Sequence, residues 1–211
     1  MKVVIINGSP RHPSNTLFIA NILKERLEAS KIDVEIINLY KLNAVYCKAC
    51  DKCFELKNNA CVYTDGTNEV IAKMIEADAI ILGSPIHCGD VSALMKVVMD
   101  KVTYVSLANK GLFKNKLGAS YVTVRRMGGL TGLNTLNNYL TYGQVKLVTA
   151  DSWNIIYGQK VNEVALDREG ISAITRTCDN LINALLNKKE EPSVKKEYLN
   201  YIRKDLTLKE I

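Results

Sequence analysis

Four of the six cysteines lie between Cys47 and Cys61, as a CxxCxxC run followed after seven residues by the fourth. Thiolates at a spacing of three can point inward from a tight turn, and a fourth from a short loop can complete a four-thiolate site. Iron–sulfur clusters use CxxCxxC runs, whereas structural zinc sites more often use two separated CxxC pairs. The residues alone leave three alternatives: an iron–sulfur cluster, a zinc ion or thiols without metal.

The stretch from Lys2 to Thr16, KVVIINGSPRHPSNT, is the second feature that could do chemistry. An apolar run over residues 3–6 ends in a polar loop, and an apolar-periodic segment begins after Ser14-Asn15-Thr16. This pattern predicts a strand, a loop and a helix. The loop brings free backbone N–H groups to a helix N-terminus, where the helix dipole favours an anion.

This first loop lacks the glycine fingerprints of dinucleotide folds and of P-loops, so a different phosphate is indicated. Its hydroxyl, amide and guanidinium donors suit the terminal phosphate of a mononucleotide such as FMN. The candidate ligands are Ser9, Arg11, Ser14, Asn15 and Thr16. An ordinary capped turn uses the same residue types, and the loop alone leaves both interpretations open.

A later loop, at residues 125–129, also carries polar residues after a predicted strand. Arg125 and Arg126 can hold a flavin edge or a nicotinamide phosphate, because a guanidinium fork matches planar acceptors and phosphate; a solvated basic loop is the alternative. Gly128 and Gly129, which follow them, permit a close backbone approach to a flat ligand.

His87 and Cys88 have the residue types of an acid and a nucleophile. No third orienting group is identifiable for them, as a Cys–His catalytic apparatus would need. A flavin site explains both residues more simply. No catalytic residue is therefore assigned, and these two remain the candidates.

An alternation of strands and helices positions these loops. Apolar runs predict strands at residues 3–6, 34–39, 79–82, 119–124 and 145–149, and helical periodicity predicts a first helix after residue 16 and others at 67–76, 92–103, 133–142 and 170–187. This order is typical of an α/β fold, a doubly wound five-stranded parallel sheet with helices on both faces. The loops after the first, third and fourth strands then converge on one ligand site.

The length of 211 residues predicts one domain over residues 1–187, with a cysteine-rich insertion at 46–62 and a charged tail at 188–211. The apolar stripe of the tail, which includes Tyr198, Tyr201, Ile202 and Leu206, predicts either a solvated tail or an oligomerisation arm.

The formal net charge of +6 is moderate, and the basic residues are dispersed, so no nucleic-acid partner is expected. The sequence contains no apolar window of membrane-span length and no signal-peptide pattern. We therefore expect a cytoplasmic protein without a membrane partner.

The motifs together, in their order and placement, resemble the iron–sulfur flavoproteins, a group within the NADPH-dependent FMN reductases of the flavodoxin-like superfamily. The resemblance covers residues 1–187 and rests on NGSPRHPSNT, the cysteine segment, GSPIHCGDVSALMK and RRMGG. Two positions depart from the pattern. His87 stands where relatives commonly have tyrosine, and Asp65 is followed by Gly66 where relatives often have a second acidic residue.

The resemblance implies an FMN cofactor whose phosphate lies on the first loop. Its isoalloxazine would lie against Pro85, Ile86, His87 and Gly89, with Arg125, Arg126, Gly128 and Gly129 on another edge. It also implies a [4Fe-4S] cluster on Cys47, Cys50, Cys53 and Cys61. The chain would form a homo-oligomer, a dimer or tetramer, in which a cluster can approach the flavin of a neighbouring subunit.

The expected function is an FMN-dependent oxidoreductase or electron-transfer flavoprotein. It would take electrons from NAD(P)H or a reduced carrier and pass them to a small-molecule or protein acceptor. A metal-free NAD(P)H-dependent FMN or quinone reductase is the first alternative. A non-enzymatic electron carrier or a zinc-bearing binding module is the second.

Overall fold

The computed structural model describes residues 1–187. The predicted tail at 188–211, with its possible oligomerisation arm, lies outside the described residues. The strands in the described part are β1 (Lys2–Asn7), β2 (Asp33–Asn38), β3 (Ala79–His87), β4 (Asp90–Val91), β5 (Leu117–Val124), β6 (Lys146–Leu147) and β7 (Ile155–Tyr157). The helices are α1 (Asn15–Ala29), α2 (Lys52–Leu56), α3 (Thr67–Glu76), α4 (Ala93–Ala108), α5 (Gly129–Tyr142) and α6 (Arg168–Leu185).

The strands form a parallel sheet in the order β2-β1-β3-β5-β6, to which two short strands add. Strand β4 pairs antiparallel with the end of β3, and β7 pairs parallel with the end of β5. The order of the five main strands is that of a flavodoxin-like doubly wound sheet. The predicted α/β fold class is confirmed, and β4 and β7 are additions that the sequence did not predict.

Helices cover both faces of this sheet and bury β1 from Val3 to Asn7. Val4 and Ile6 pack into one core cluster with residues of α3, α4 and α5. Val3 and Ile5 point to the opposite face and pack with α1 and α6. Because successive side chains of a strand alternate between faces, burial on both sides explains the uninterrupted apolar run.

Two strand boundaries differ from the prediction. Strand β3 does not end at Leu82: its ladder with β5 continues to Pro85, opposite Thr123, and β4 then pairs with the last two residues. Pairing with the neighbouring strands therefore outweighs the low strand propensity of Gly83-Ser84-Pro85. The predicted strand at 145–149 is reduced to Lys146–Leu147, because later residues of β5 pair with β7 instead.

Helix boundaries shift by a few residues for local reasons. Helix α4 begins after Ser92, whose hydroxyl accepts a hydrogen bond from the Met95 N–H, and it continues beyond the predicted end to Ala108. Helix α5 begins at Gly129 instead of residue 133, because Gly128 adopts a φ of 86° as its N-cap. None of the described helices is long and apolar enough to cross a membrane.

Buried hydrogen bonds fix the first loop and the start of α1 against the rest of the sheet. The Tyr121 hydroxyl donates to the Thr16 carbonyl oxygen at 2.8 Å, and the Thr16 and Thr123 hydroxyls are 2.8 Å apart. The Ser92 hydroxyl donates to the Gly8 carbonyl oxygen at 2.6 Å. Tyr121 is fully buried, and its burial raises the pKa of the phenol. These bonds hold the first loop beside the ends of β3 and β5.

We expect Tyr121→Phe to lower the free energy of unfolding by about 1 to 2 kcal/mol, because it removes a buried hydrogen bond without changing the ring. Urea unfolding followed by circular dichroism measures the loss. Tyr142→Phe is the matched control, since Tyr142 is exposed. Equal stability of the two variants would contradict the role given to the Tyr121 hydroxyl.

Candidate functional site

The first loop and the end of β3 form two walls of one cavity of about 190 Å³ at the carboxyl edge of the sheet. This edge is where ligands bind in doubly wound folds. The predicted residues that line the cavity are Ser9, Arg11, Ser14, Asn15, Thr16, Pro85, Ile86, His87 and Arg125. The structure therefore brings the predicted phosphate loop and part of the predicted ring loop to a single cavity.

Local hydrogen bonds give the first loop its shape. The Ser14 hydroxyl accepts from the Leu17 N–H at 3.1 Å and caps α1. The Ser9 hydroxyl accepts from the Arg11 N–H at 3.2 Å. The N–H groups of Asn15 and Thr16 open the helix and have no carbonyl one turn earlier to bind. Backbone donors and the positive end of the helix dipole therefore point towards the cavity.

The donors and charges of this cavity fit a phosphate ester. Within the described residues its lining contains two arginines and no carboxylate. The side-chain oxygen of Asn15 is buried and has no hydrogen-bond partner among residues 1–187. Because an amide can be turned to exchange its oxygen and nitrogen, this group can accept from a ribityl hydroxyl or donate to a phosphate. The cavity thus fits the phosphate end of FMN.

Four of the predicted residues do not line this cavity: Gly89, Arg126, Gly128 and Gly129. A Cβ atom on Gly128 would lie 2.7 Å from the Gly89 Cα atom, so the two backbones are in direct contact. A Cβ atom on Gly129 would lie 2.6 Å from a methyl group of Ile155. The glycines therefore allow close packing within the protein, while Arg126 is exposed.

The cavity also contains residues that the sequence reasoning did not single out. Thr123 is at the end of β5, and Gly158 and Gln159 follow β7. The position of Thr123, near the end of a predicted strand, was a signal that could have identified it. Gly158 and Gln159 depend on β7, which has only three residues and gave no periodic pattern.

His87 and Cys88 are exposed at the tip between β3 and β4. Desolvation, and then the positive charge of Arg11, lower the pKa of His87 below its ordinary value. The ring is therefore mostly neutral at pH 7. Among residues 1–187 neither side chain has a hydrogen-bond partner that would orient it, and no catalytic pair is formed.

A second pocket is lined by all four clustered cysteines: Cys47, Cys50, Cys53 and Cys61. All four are free thiols, with Cys53 buried on α2 and Cys50 exposed. Burial raises the pKa of Cys53. The donor set is that of a four-thiolate metal site. The rest of the lining is Lys48, Asp51, Tyr63, Lys101, Tyr104 and Val105.

The cysteine segment is pinned to its neighbours at several points. Reciprocal hydrogen bonds join Cys61 to Asn68 of α3: the Cys61 N–H donates at 2.8 Å, and the Asn68 amide donates back at 2.9 Å. The Phe54 ring packs edge-on against the Tyr104 ring at 5.5 Å. Left-handed backbone at Ala49 and Asp51 makes the tight turns. These contacts hold the segment against α3 and α4.

The pocket is narrow in this structure. Its free space is about 20 Å³, roughly one water molecule. Within residues 1–187 no three His, Cys, Asp or Glu side chains converge closely enough to hold a single metal ion. A cluster spreads its four cysteine ligands over four iron atoms, so it needs wider spacing than one zinc ion with bonds of about 2.3 Å.

Lys101 of α4 and Asp65 form a buried ion pair beside this pocket, with side chains 1% and 7% exposed. Asp65 also accepts hydrogen bonds from the Val45 N–H at 2.8 Å and the Thr67 N–H at 3.1 Å. Burial alone would raise the pKa of the Asp65 carboxyl. The bonds from Lys101 and the two N–H groups outweigh it and lower the pKa to about 2.

A larger open cavity, about 860 Å³, runs from Cys47 to Asp90 and is lined mainly by α4 and α5. Cys47 and Tyr104 belong to both this cavity and the cysteine pocket. Asp90 pairs with His87 in the hairpin that ends β3. This cavity therefore extends from the cysteine pocket to the hairpin that follows the phosphate cavity.

Residues 1–160 match the family described as NADPH-dependent FMN reductase. The chain belongs to this family. By this membership it is an FMN-dependent oxidoreductase. The hydrogen-bond donors and positive charges of the cavity on the first loop fit an FMN phosphate.

Curated relatives carry a further name. A protein of Archaeoglobus fulgidus called iron-sulfur flavoprotein is 37% identical over 123 residues, which span 58% of this chain and 59% of that protein. An iron-sulfur flavoprotein of Methanocaldococcus jannaschii is 32% identical over 75% of this chain and 81% of its own length. A solved NADH:FMN oxidoreductase in its apo form superposes with a TM-score of 0.60 at 16% identity, over 91% of this chain and 92% of that chain, and shows the fold.

We expect Asn15→Ala to raise the dissociation constant for FMN about fivefold to tenfold, because one hydrogen bond in the cavity is lost. Quenching of flavin fluorescence measures the constant. Asn21→Ala is the matched control, since Asn21 is exposed on the same helix. An unchanged constant for Asn15→Ala would contradict this placement of the phosphate end.

The pH dependence of stability should report the Asp65–Lys101 pair. Because the folded pKa of Asp65 lies below the ordinary 3.8, its contribution is complete above pH 4 to 5 and is lost as pH falls towards 2. We expect this loss to be about 2 kcal/mol. Urea unfolding at several pH values, compared between the unmodified protein and the double variant Asp65→Asn/Lys101→Met, measures it. Equal pH slopes in the two proteins would refute the assignment.

Proposed function

We propose that this FMN-dependent oxidoreductase carries a [4Fe-4S] cluster on Cys47, Cys50, Cys53 and Cys61. Electrons would enter from NAD(P)H or a reduced carrier and leave to a small-molecule or protein acceptor. The observation that carries the proposal is the convergence of these four free thiols on one pocket. The iron-sulfur flavoprotein names of the relatives support it.

The residues of the first cavity would bind and orient FMN. Backbone N–H groups at the start of α1, with Ser9, Arg11, Ser14, Asn15 and Thr16, would hold the phosphate through charge and hydrogen bonds. Bound FMN supplies hydride acceptance and release of electrons singly or in pairs.

The residues at the ends of β3 and β5 would flank the isoalloxazine. We assign Pro85, Ile86, His87 and Gly89 to one side. Arg125, Arg126, Gly128 and Gly129 would lie at another edge, where the direct contact of Gly89 with Gly128 brings the two loops together. The neutral His87 ring can give or take one hydrogen bond there without adding charge.

A metal-free NAD(P)H-dependent FMN or quinone reductase is the second candidate. The narrowness of the cysteine pocket favours it, together with the lack, in the described part of the chain, of three side chains placed for one metal ion. In that case the four cysteines would be ordinary thiols. The two candidates differ in metal content and share the FMN site.

The proposed enzyme would exchange electrons with small-molecule or protein partners. We propose a homo-oligomer, a dimer or tetramer, in the cytoplasm, with residues 1–187 as the FMN-binding domain and residues 188–211 as a tail that serves as an oligomerisation arm. The large open cavity between Cys47 and Asp90 borders the cysteine pocket and would admit an electron donor or acceptor.

The deciding experiment is the visible spectrum of anaerobically purified protein, with FMN, iron, sulfide and zinc quantified on the same sample. The proposal expects one FMN and about four irons per chain. FMN without iron or zinc would establish the metal-free reductase. FMN with one zinc would contradict the cluster and leave the FMN site intact.

Cys61→Ser tests the cysteine assignment. We expect this variant to lose most of its iron and the cluster absorbance while it keeps its FMN, because the serine hydroxyl is a far poorer ligand than a thiolate. Cys178→Ala is the control, since Cys178 is buried in α6 in the core cluster on the α1–α6 side of the sheet. Equal iron contents in the two variants would contradict the assignment.

A further inference from the structure

The buried lysine beside the cysteine pocket has no role in the function proposed so far. Lys101 is 1% exposed and is one of the pocket-lining residues together with the four cysteines. Among the described residues it is the only buried cation in that lining, because Lys48 is exposed and lies over the Tyr63 ring. The side chain of one buried cation therefore lines a four-thiol pocket, whose lining also includes the exposed Asp51.

Asp65 holds this lysine in place and closes the cysteine segment. Its carboxylate accepts from Lys101 and, at the same time, from the Val45 N–H before the first cysteine and the Thr67 N–H after the last. One side chain thus joins both ends of the segment to α4. Lys101 lines the pocket and Asp65 does not, so the lysine side chain is the part of the pair that borders the thiols.

The buried Lys101–Asp65 pair has an energetic cost. Desolvation of two charges costs several kcal/mol, and such a pair is often no more stabilising than a packed apolar pair. A metal group held by four thiolates carries excess negative charge, and one-electron reduction adds another. A nearby cation lowers the energy of both states, and lowers the energy of the more negative state more.

We propose that Lys101 is a positioning residue of the cysteine site, whose ammonium group, fixed by Asp65, stabilises the reduced form of the metal group bound there. This inference rests on the proposed function, since it requires a redox-active metal group on the four cysteines. It assigns to Lys101 a control of reduction potential and to Asp65 the orientation of Lys101.

The test is an anaerobic redox titration of iron-loaded protein, followed by visible and electron paramagnetic resonance spectra. Lys101→Met removes the charge, Lys101→Arg keeps it, and Asp65→Asn/Lys101→Met removes the whole pair without leaving an unpaired buried carboxylate. Lys96→Met is the matched control, because Lys96 is on the same helix and pairs with Asp100 outside the cysteine pocket.

We expect Lys101→Met to make reduction of the metal group at least tenfold less favourable, a shift of about 59 mV to lower potential for a one-electron couple. The double variant should shift in the same direction by less. Lys101→Arg and Lys96→Met should stay close to the unmodified protein. The potential of bound FMN, measured in the same titration, should change less than that of the metal group.

An unchanged potential in both methionine variants would overturn the inference, because a purely structural ion pair would leave the potential of an intact site unaltered. If both methionine variants lose iron while Lys101→Arg retains it, the result supports a need for positive charge at this position, because the metal group then binds only when the charge is present. Loss of iron from Lys101→Arg as well would overturn it. Unmodified protein that binds FMN but no iron would contradict the proposed cluster before any variant is compared, and the inference with it.

Discussion

The burial of β1 and β3 on both faces is the constraint on which the rest of the structure depends. The side chains of these strands fill two separate core clusters, one under α3, α4 and α5 and one under α1 and α6. Because β1 and β3 are parallel, the polar loops that follow them lie together at the carboxyl edge of the sheet. Tyr121, Thr123 and Ser92 then lock the first loop there through buried hydrogen bonds. A phosphate cavity arises because several N–H groups are held at this edge with no carbonyl to satisfy them.

The sequence was sufficient to predict the parts of the fold that depend on local pattern. The run at Val3 to Ile6 and the capping residues around Ser14 act within a few positions, so the first strand, loop and helix were identified. Continuation of β3 through Pro85 and the existence of β7 depend on neighbours distant in sequence. A strand of three residues has no measurable periodicity, so Gly158 and Gln159 of the cavity were missed.

The cysteine segment also contains a feature that local sequence pattern could not predict. The spacing of Cys47, Cys50 and Cys53 predicted a shared pocket, and this is where the structure places them with Cys61. The spacing carried no information about Lys101, which is 40 residues beyond Cys61 and looks like any lysine of an amphipathic helix. Only the burial of its ammonium group against Asp65 distinguishes it. The electrostatic environment of a site is thus a tertiary property even where its ligands are a sequence motif.

The divided outer edge of β5 has a consequence for assembly. Strand β6 pairs with its first residues and β7 with its last, and between them the Asn154 side chain donates to the Ser120 carbonyl oxygen at 2.9 Å. The backbone groups that another chain would need for strand addition are therefore already used or covered. A second chain therefore cannot pair directly with β5 at this edge. Strand β5, and with it the place of Thr123 in the phosphate cavity, is thus held from both sides by strands of its own chain.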